Sequence, residues 1–240
     1  MCGIAGFISG KATPERRLQA VDRMCDAMLR RGPDDAGSAT MGPATIGMRR
    51  LAIFDPANGH QPMQTADGRV TLVFNGAIYN FAELRAQLTA AGFSFKTHCD
   101  TEVLLAAYAH WGQACVSRLR GMFAFAAWDA AAQSLFLARD PFGIKPLYYA
   151  TIDDGLLFAS ELNALRASGE FHCVIDSQAI VDYLGWFSVP SPRTIYTGAC
   201  SLKPGECAVW KSGKLLLTQT WSFSTRTRHQ ACTSRQAFTS

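Results

Sequence analysis

Between Met122 and Phe158 the chain passes through four short apolar runs that restrict its fold more than any other feature. Phe123-Ala124-Phe125-Ala126-Ala127-Trp128, Leu135-Phe136-Leu137-Ala138, Leu147-Tyr148-Tyr149 and Leu156-Leu157-Phe158 follow one another, divided by turns such as Asp153-Asp154-Gly155. Each is too short for a helix and too continuously apolar for a strand with one wet face. Such runs suit strands covered on both faces.

The rest of the chain supplies the cover. Cys2 to Ile8 reads as a short buried strand. Pro14 opens a helix whose apolar face is Leu18, Val21, Cys25 and Met28, and Arg30, Arg31 and Gly32-Pro33 end it. Ala44 to Met48 and Val70 to Phe74 read as strands, the second stopped by the turn dipeptide Asn75-Gly76. Phe81, Leu84 and Leu88 mark a helix that Gly92 terminates, and Asp100-Thr101 starts another with Val103, Leu104 and Tyr108 inside. Asp176 or Ser177 caps a helix through Leu184. Cys207 to Trp210 and Leu215 to Leu217 form a hairpin around Ser212-Gly213. Strands and helices come in groups, without strict alternation, which predicts sheets covered by helices in a layered α+β domain. No repeat or linker divides it. Beyond Trp221 periodicity stops, so residues 2–223 read as the domain and 224–240 as a disordered or truncated tail.

Composition excludes several classes. Of 240 residues, 48% are hydrophobic and 18% charged, as in an ordinary globular protein. No apolar run reaches the roughly 18 residues of a membrane span, and no secretory leader is visible. Three of the four net positive charges correspond to Arg226, Arg228 and Arg235, which leaves the body nearly neutral and no case for nucleic acid. The eight cysteines show no CxxC spacing, and the five histidines no metal spacing. Dispersed thiols of this kind fit a reduced, cytoplasmic setting without a structural metal.

One cysteine stands apart. Cys2 follows the initiator Met1 and is small enough for that residue to be trimmed. Trimming leaves a free α-amine, with a pKa of roughly 7.7–8.0, beside the thiol. Such an amine can take the thiol's proton, so Cys2 is a candidate nucleophile that carries its own base.

The motifs around Cys2 have a familiar order. Cys2-Gly3-Ile4, Arg31-Gly32-Pro33-Asp34, Arg50-Leu51-Ala52-Ile53, Gly59-His60-Gln61-Pro62-Met63, Asn75-Gly76-Ala77-Ile78-Tyr79-Asn80 and Asp100-Thr101-Glu102 come first. Ala138 to Tyr149, Ser160-Glu161-Leu162 and Val189 to Tyr196 follow. Together they resemble the N-terminal glutaminase domain of glutamine-hydrolysing asparagine synthetases, a branch of the class II, N-terminal-nucleophile amidotransferases. The resemblance covers about residues 2–223 and implies a four-layer αββα fold with two stacked antiparallel sheets. It implies L-glutamine as substrate and a thioester at Cys2. Asn75, through its side-chain amide, and Gly76, through its backbone N–H, would stabilise the oxyanion. Arg50 would grip the α-carboxylate and Asp100 the α-ammonium, with Leu51 and backbone near Ile53 completing the pocket. Each has a plainer reading: a hairpin turn for Asn75-Gly76, a solvated cation for Arg50, a helix N-cap for Asp100. Arg49 has no matching role and reads as solvated. The Arg31 to Asp34 loop, the Asp140-Pro141-Phe142-Gly143 turn and Lys145 read as architecture.

Two departures qualify the resemblance. Ala77 stands where the family usually has a Glu that also meets the α-ammonium, which predicts weaker glutamine binding. The family's ATP-binding half, with its Ser-Gly-Gly-Leu-Asp-Ser-type loop, has no counterpart in these residues. ATP and magnesium would belong only to that half, and this chain needs no cofactor of its own. The expectation is that it supplies ammonia to a separate ATP-dependent synthetase subunit, or is a truncated synthetase, with a homodimer left open. The competing expectation is a catalytically weak or silent docking module that keeps the fold.

Overall fold

A computed structural model describes residues 1–52, 55 and 57–221. Ile53 and the 224–240 tail lie outside the described residues. In chain order the elements are β1 (Gly3–Ser9), α1 (Pro14–Ala27), β2 (Asp35–Met41), β3 (Ala44–Arg50), β4 (Met63–Gln64), β5 (Val70–Ile78), α2 (Phe81–Ala90), α3 (Asp100–Trp111), β6 (Gly121–Asp129), β7 (Ser134–Arg139), β8 (Tyr148–Ile152) and β9 (Gly155–Ala159). α4 (Leu162–Ala167), α5 (Ser177–Trp186), β10 (Ala199–Ser201), β11 (Glu206–Lys211) and β12 (Lys214–Gln219) follow. A 3₁₀ turn at Gly112–Arg118 joins α3 to β6.

The strands form two antiparallel sheets. One runs β10-β8-β9-β1-β3-β2, the other β12-β11-β7-β6-β5-β4. Three of the four apolar runs are buried on both faces, as their composition requires, while Tyr148 of the fourth is half-buried. Ile4, Ile8 and Ile46 of the first sheet meet Val73, Ala126, Trp128 and Leu137 of the second in a shared core. The outer face of the first sheet is covered by α1 and α4, through Val21, Met24 and Leu165. The outer face of the second is covered by α2 and α3, through Leu84, Leu88, Val103 and Leu104. The result is the expected order of helix, sheet, sheet and helix layers. Apolar burial, worth roughly 25 cal/mol per Å², holds the layers together.

Two local expectations need correction, and one strand was not anticipated. Leu18 is partly exposed, and Arg17 takes the inward place beside Ala20 and Val21. Arg17 can be buried because its guanidinium donates to the Ser9, Ala12 and Gly42 carbonyls, although its Nε has no partner among the described residues. β2 had no sequence signal: its Ala, Gly, Ser and Thr residues lie on a sheet edge where little is buried. Asn75-Gly76 is no turn. β5 runs through it to Ile78, pairing Asn75 with Ala124 and Gly76 with Phe123. The glycine serves close approach instead, because a Cβ at Gly76 would collide with the Met122 carbonyl oxygen.

Candidate active site

Cys2 enters the first sheet at the start of β1, and a set of long-range contacts fixes it there. The Cys2 carbonyl accepts from Arg31 Nε at 2.9 Å, and Arg31 Nη1 pairs with Glu161 at 3.2 Å. Two residues on, the Ile4 N–H donates to Ser160 Oγ at 3.0 Å. The Arg31 and Ser160-Glu161 motifs thus hold the N-terminal main chain. The Cys2 thiol stays half-exposed, 3.8 Å from the Leu51 carbonyl oxygen.

Cys2 opens into a cavity of about 130 Å³ between the sheets and the start of α3. Arg50, Leu51, Asn75, Gly76, Ala77 and Asp100 all line it, so every candidate site residue that the structure describes comes to one place. Gln61, Thr101, Met122 and Lys145 also contribute. Met1 is among the lining residues too; its α-ammonium donates to the Arg31 carbonyl at 2.9 Å.

Asn75 is the cavity-lining residue with an unpaired buried donor among the described residues. Alternation along β5 sends its side chain inward with that of Val73, toward the sheet carrying Cys2. The residue is 1% exposed, and its Nδ2 has no hydrogen-bond partner among the described residues. A buried amide donor left unpaired costs about 1–3 kcal/mol. Such a group is a candidate for binding something other than the protein itself.

Arg50 is not the solvated cation of its plainer reading. It is buried at the end of β3, donates Nη2 to the Asp55 carbonyl at 2.8 Å and lies 4.0 Å from Asp35. Arg49 is not free either, because its Nε donates to the Gly32 carbonyl at 3.1 Å. Asp100 is the first residue of α3 and not its N-cap, which is Cys99. Its Oδ2 accepts from the Ile78 N–H at 3.0 Å, joining the helix start to the end of β5. Burial pushes the Asp100 carboxyl up from its ordinary value, opposed by hydrogen bonds from the Ile78, Asp100 and Thr101 backbone.

Lys145, read as architecture, also lines the cavity. The Asp140 turn is scaffold: its carboxylate accepts from the Phe142, Ile144 and Lys145 N–H groups. That scaffold aims Lys145 into the cavity, where Nζ donates to Met1 Sδ at 3.5 Å. Gln61 received no role from the sequence, although it sits inside a quoted motif. Nothing local marks either residue, because their partners lie far away in the chain.

This arrangement can carry out nucleophilic attack on a small amide. It combines a thiol, an unpaired buried amide donor, a cation and a carboxylate around a small cavity.

The family model described as a glutamine amidotransferase domain matches residues 1–222. Glutamine-hydrolysing asparagine synthetase 1 of Bacillus subtilis is 41% identical over 208 residues, covering 86% of this chain and 33% of that protein. A putative glutamine-hydrolysing asparagine synthetase of Mycobacterium bovis is 43% identical over 223 residues, covering 85% and 34%. The chain therefore spans about a third of the length of the curated relatives it matches. Among solved structures, glutamine phosphoribosylpyrophosphate amidotransferase of B. subtilis has the same fold. It superposes with a TM-score of 0.67 at 20% identity, covering 92% of this chain and 49% of that one.

Proposed function

The chain belongs to the glutamine amidotransferase domain family, and from that premise we propose that its cavity hydrolyses the side-chain amide of glutamine through a thioester at Cys2. The observation that carries this reading is the buried, unpaired Asn75 Nδ2 beside the cavity that Cys2 enters. Removal of Met1 exposes the Cys2 α-amine. That amine takes the thiol proton as sulfur attacks the amide carbon. Asn75 Nδ2 and the Gly76 N–H receive the developing oxyanion. The proton passes to the departing nitrogen, and ammonia leaves a glutamyl thioester. Water, activated by the same amine, releases glutamate and restores the thiol. Arg50 takes the substrate α-carboxylate and Asp100 its α-ammonium, with backbone at Leu51 and Ile53 closing the pocket.

The ammonia is destined for an ATP-dependent amidation of aspartate or a similar carboxylate. A synthetase domain or separate subunit performs that step and holds the ATP and magnesium it needs. The names of the relatives support this assignment. Incubation of the Met-trimmed protein with a diazo-ketone analogue of glutamine, followed by intact mass, tests the central reading. A single adduct on Cys2 is expected, and its absence would favour the silent docking module.

Two further expectations concern affinity. Ala77 lines the cavity without a charge. Ala77→Glu is expected to lower KM for glutamine about tenfold and leave kcat unchanged, because a charge-assisted hydrogen bond is worth about 1.5–3 kcal/mol. An unchanged KM would refute this role. Asp100 must be ionised to hold an ammonium, and burial raises its pKa. On acidification KM should therefore rise at a pH above the ordinary aspartate range. A glutamine analogue without the α-amine should show no such rise. The sign for stability is opposite: Asp100's contribution is present below its unfolded value and lost as pH climbs through the raised folded one.

A further inference from the structure

The edge of β5 that faces away from β6 lacks a neighbouring strand over the residues that matter. β4 pairs only with Thr71 and Leu72. Along an extended strand the N–H groups of alternate residues point to the same edge. The N–H groups of Phe74, Gly76 and Ile78 therefore share this open edge. The partner strand agrees: Phe123, opposite Gly76, turns its own N–H and carbonyl to Asp140 instead.

Side chains take the place of the missing strand at two of these three positions. Gln61 Oε1 accepts from the Phe74 N–H at 2.7 Å, and Asp100 Oδ2 accepts from the Ile78 N–H at 3.0 Å. No described residue is recorded as taking the Gly76 N–H between them. Gln61 is itself held firmly. It is 7% exposed, and its Nε2 donates to Thr101 Oγ1 at 3.3 Å, one residue past Asp100. Its carbonyl rests on Gly37 of β2, where a Cβ would collide with it.

We propose that Gln61 is a positioning residue which, paired with Asp100, stands in for a strand along β5 and leaves a single open N–H at Gly76 as the oxyanion donor. This rests on the reading of Cys2 as the nucleophile. A continuous strand here would consume the Gly76 N–H. With neither strand nor Gln61, this edge of β5 would lose its hydrogen bond at Phe74, leaving it held only from the β6 side, and the neighbouring Gly76 donor would lose its fixed aim. The Thr101 bond also ties the oxyanion strand to the helix start that carries Asp100. Asp100 keeps its own tie to β5 through the Ile78 N–H, so the α-ammonium site does not depend on Gln61.

Kinetics of the full, Met-trimmed chain test this. Gln61→Met keeps the volume and removes the acceptor. It is expected to lower kcat at least about tenfold, as a misaimed oxyanion donor should. KM for glutamine and the affinity for glutamate should stay within about threefold, because neither depends on the oxyanion. Gln61→Glu retains an acceptor for Phe74 and should lose less kcat than Gln61→Met. An active wild type with unaffected Gln61→Met kcat would overturn the proposal, as would equal falls in kcat and glutamate affinity. No ammonia from the wild type would instead overturn the glutaminase reading beneath it. If Gln61→Met does not fold, amide exchange in the wild type decides. The Phe74 N–H should be protected and the Gly76 N–H open, with Gly76 becoming protected only in the diazo-ketone adduct. Equal protection at the two in the resting protein would also overturn the proposal.

Discussion

Cys2→Ala is expected to reduce ammonia release from glutamine by about 10⁴-fold or more, the scale seen when a covalent nucleophile is deleted. The fold should survive the change. The main chain at position 2 is held by Arg31 and Glu161, and the half-exposed thiol's recorded polar contact is a long one to Leu51. The melting temperature should therefore stay near that of the parent. A second manipulation separates the thiol from its base. Protein that retains Met1, or carries an N-terminal tag, keeps the sulfur but loses the free amine at Cys2. Its turnover should fall by about 10²–10⁴-fold, the usual contribution of a positioned general acid–base group. Full activity in a protein shown by mass to retain residue 1 would mean that the amine is not the base.

Asn75→Leu is expected to lower kcat by about 10²–10³-fold, the cost of removing one oxyanion donor. Its effect on stability makes the test specific. Asn75 Nδ2 is buried without a partner, so the resting protein bears an uncompensated polar group. Replacing it with an apolar side chain of similar shape should leave the melting temperature unchanged or raise it. A catalytic donor kept at the expense of stability gives opposite signs in the two measurements. If activity and melting temperature fall together, Asn75 is a structural residue and the reading of the cavity fails.

The layers were legible because they depend on local composition. Runs such as Phe123 to Trp128 and Leu156 to Phe158 have only one energetically acceptable fate, burial on both faces. The Ser212-Gly213 hairpin was equally plain: both residues take positive φ, as a tight turn between twisted strands demands. Arg17 was not legible. A charged residue enters the interior only when carbonyls meet it, and the Gly42 carbonyl reaches Arg17 from the far end of β2 to join those of Ser9 and Ala12. β2 escaped notice for the complementary reason that an edge strand buries too little to need an apolar pattern.

What the sequence alone determined was the reagent list. Cys2 behind Met1, the order of motifs from Arg31 to Asp100, and the double-covered strands pointed to a candidate nucleophile, the glutamine amidotransferase domain family and a layered α+β frame. The tertiary structure decided how those reagents are aimed. Asn-Gly reads as a turn because its local preferences favour one. Pairing with Ala124 and Phe123 overrides those preferences and makes the dipeptide part of a strand. Lys145 and Gln61 acquire meaning only when the fold sets them beside Met1 and Thr101, distant in the chain. The unpaired Asn75 amide depends most on the fold, since an atom lacks a partner only with respect to everything packed around it.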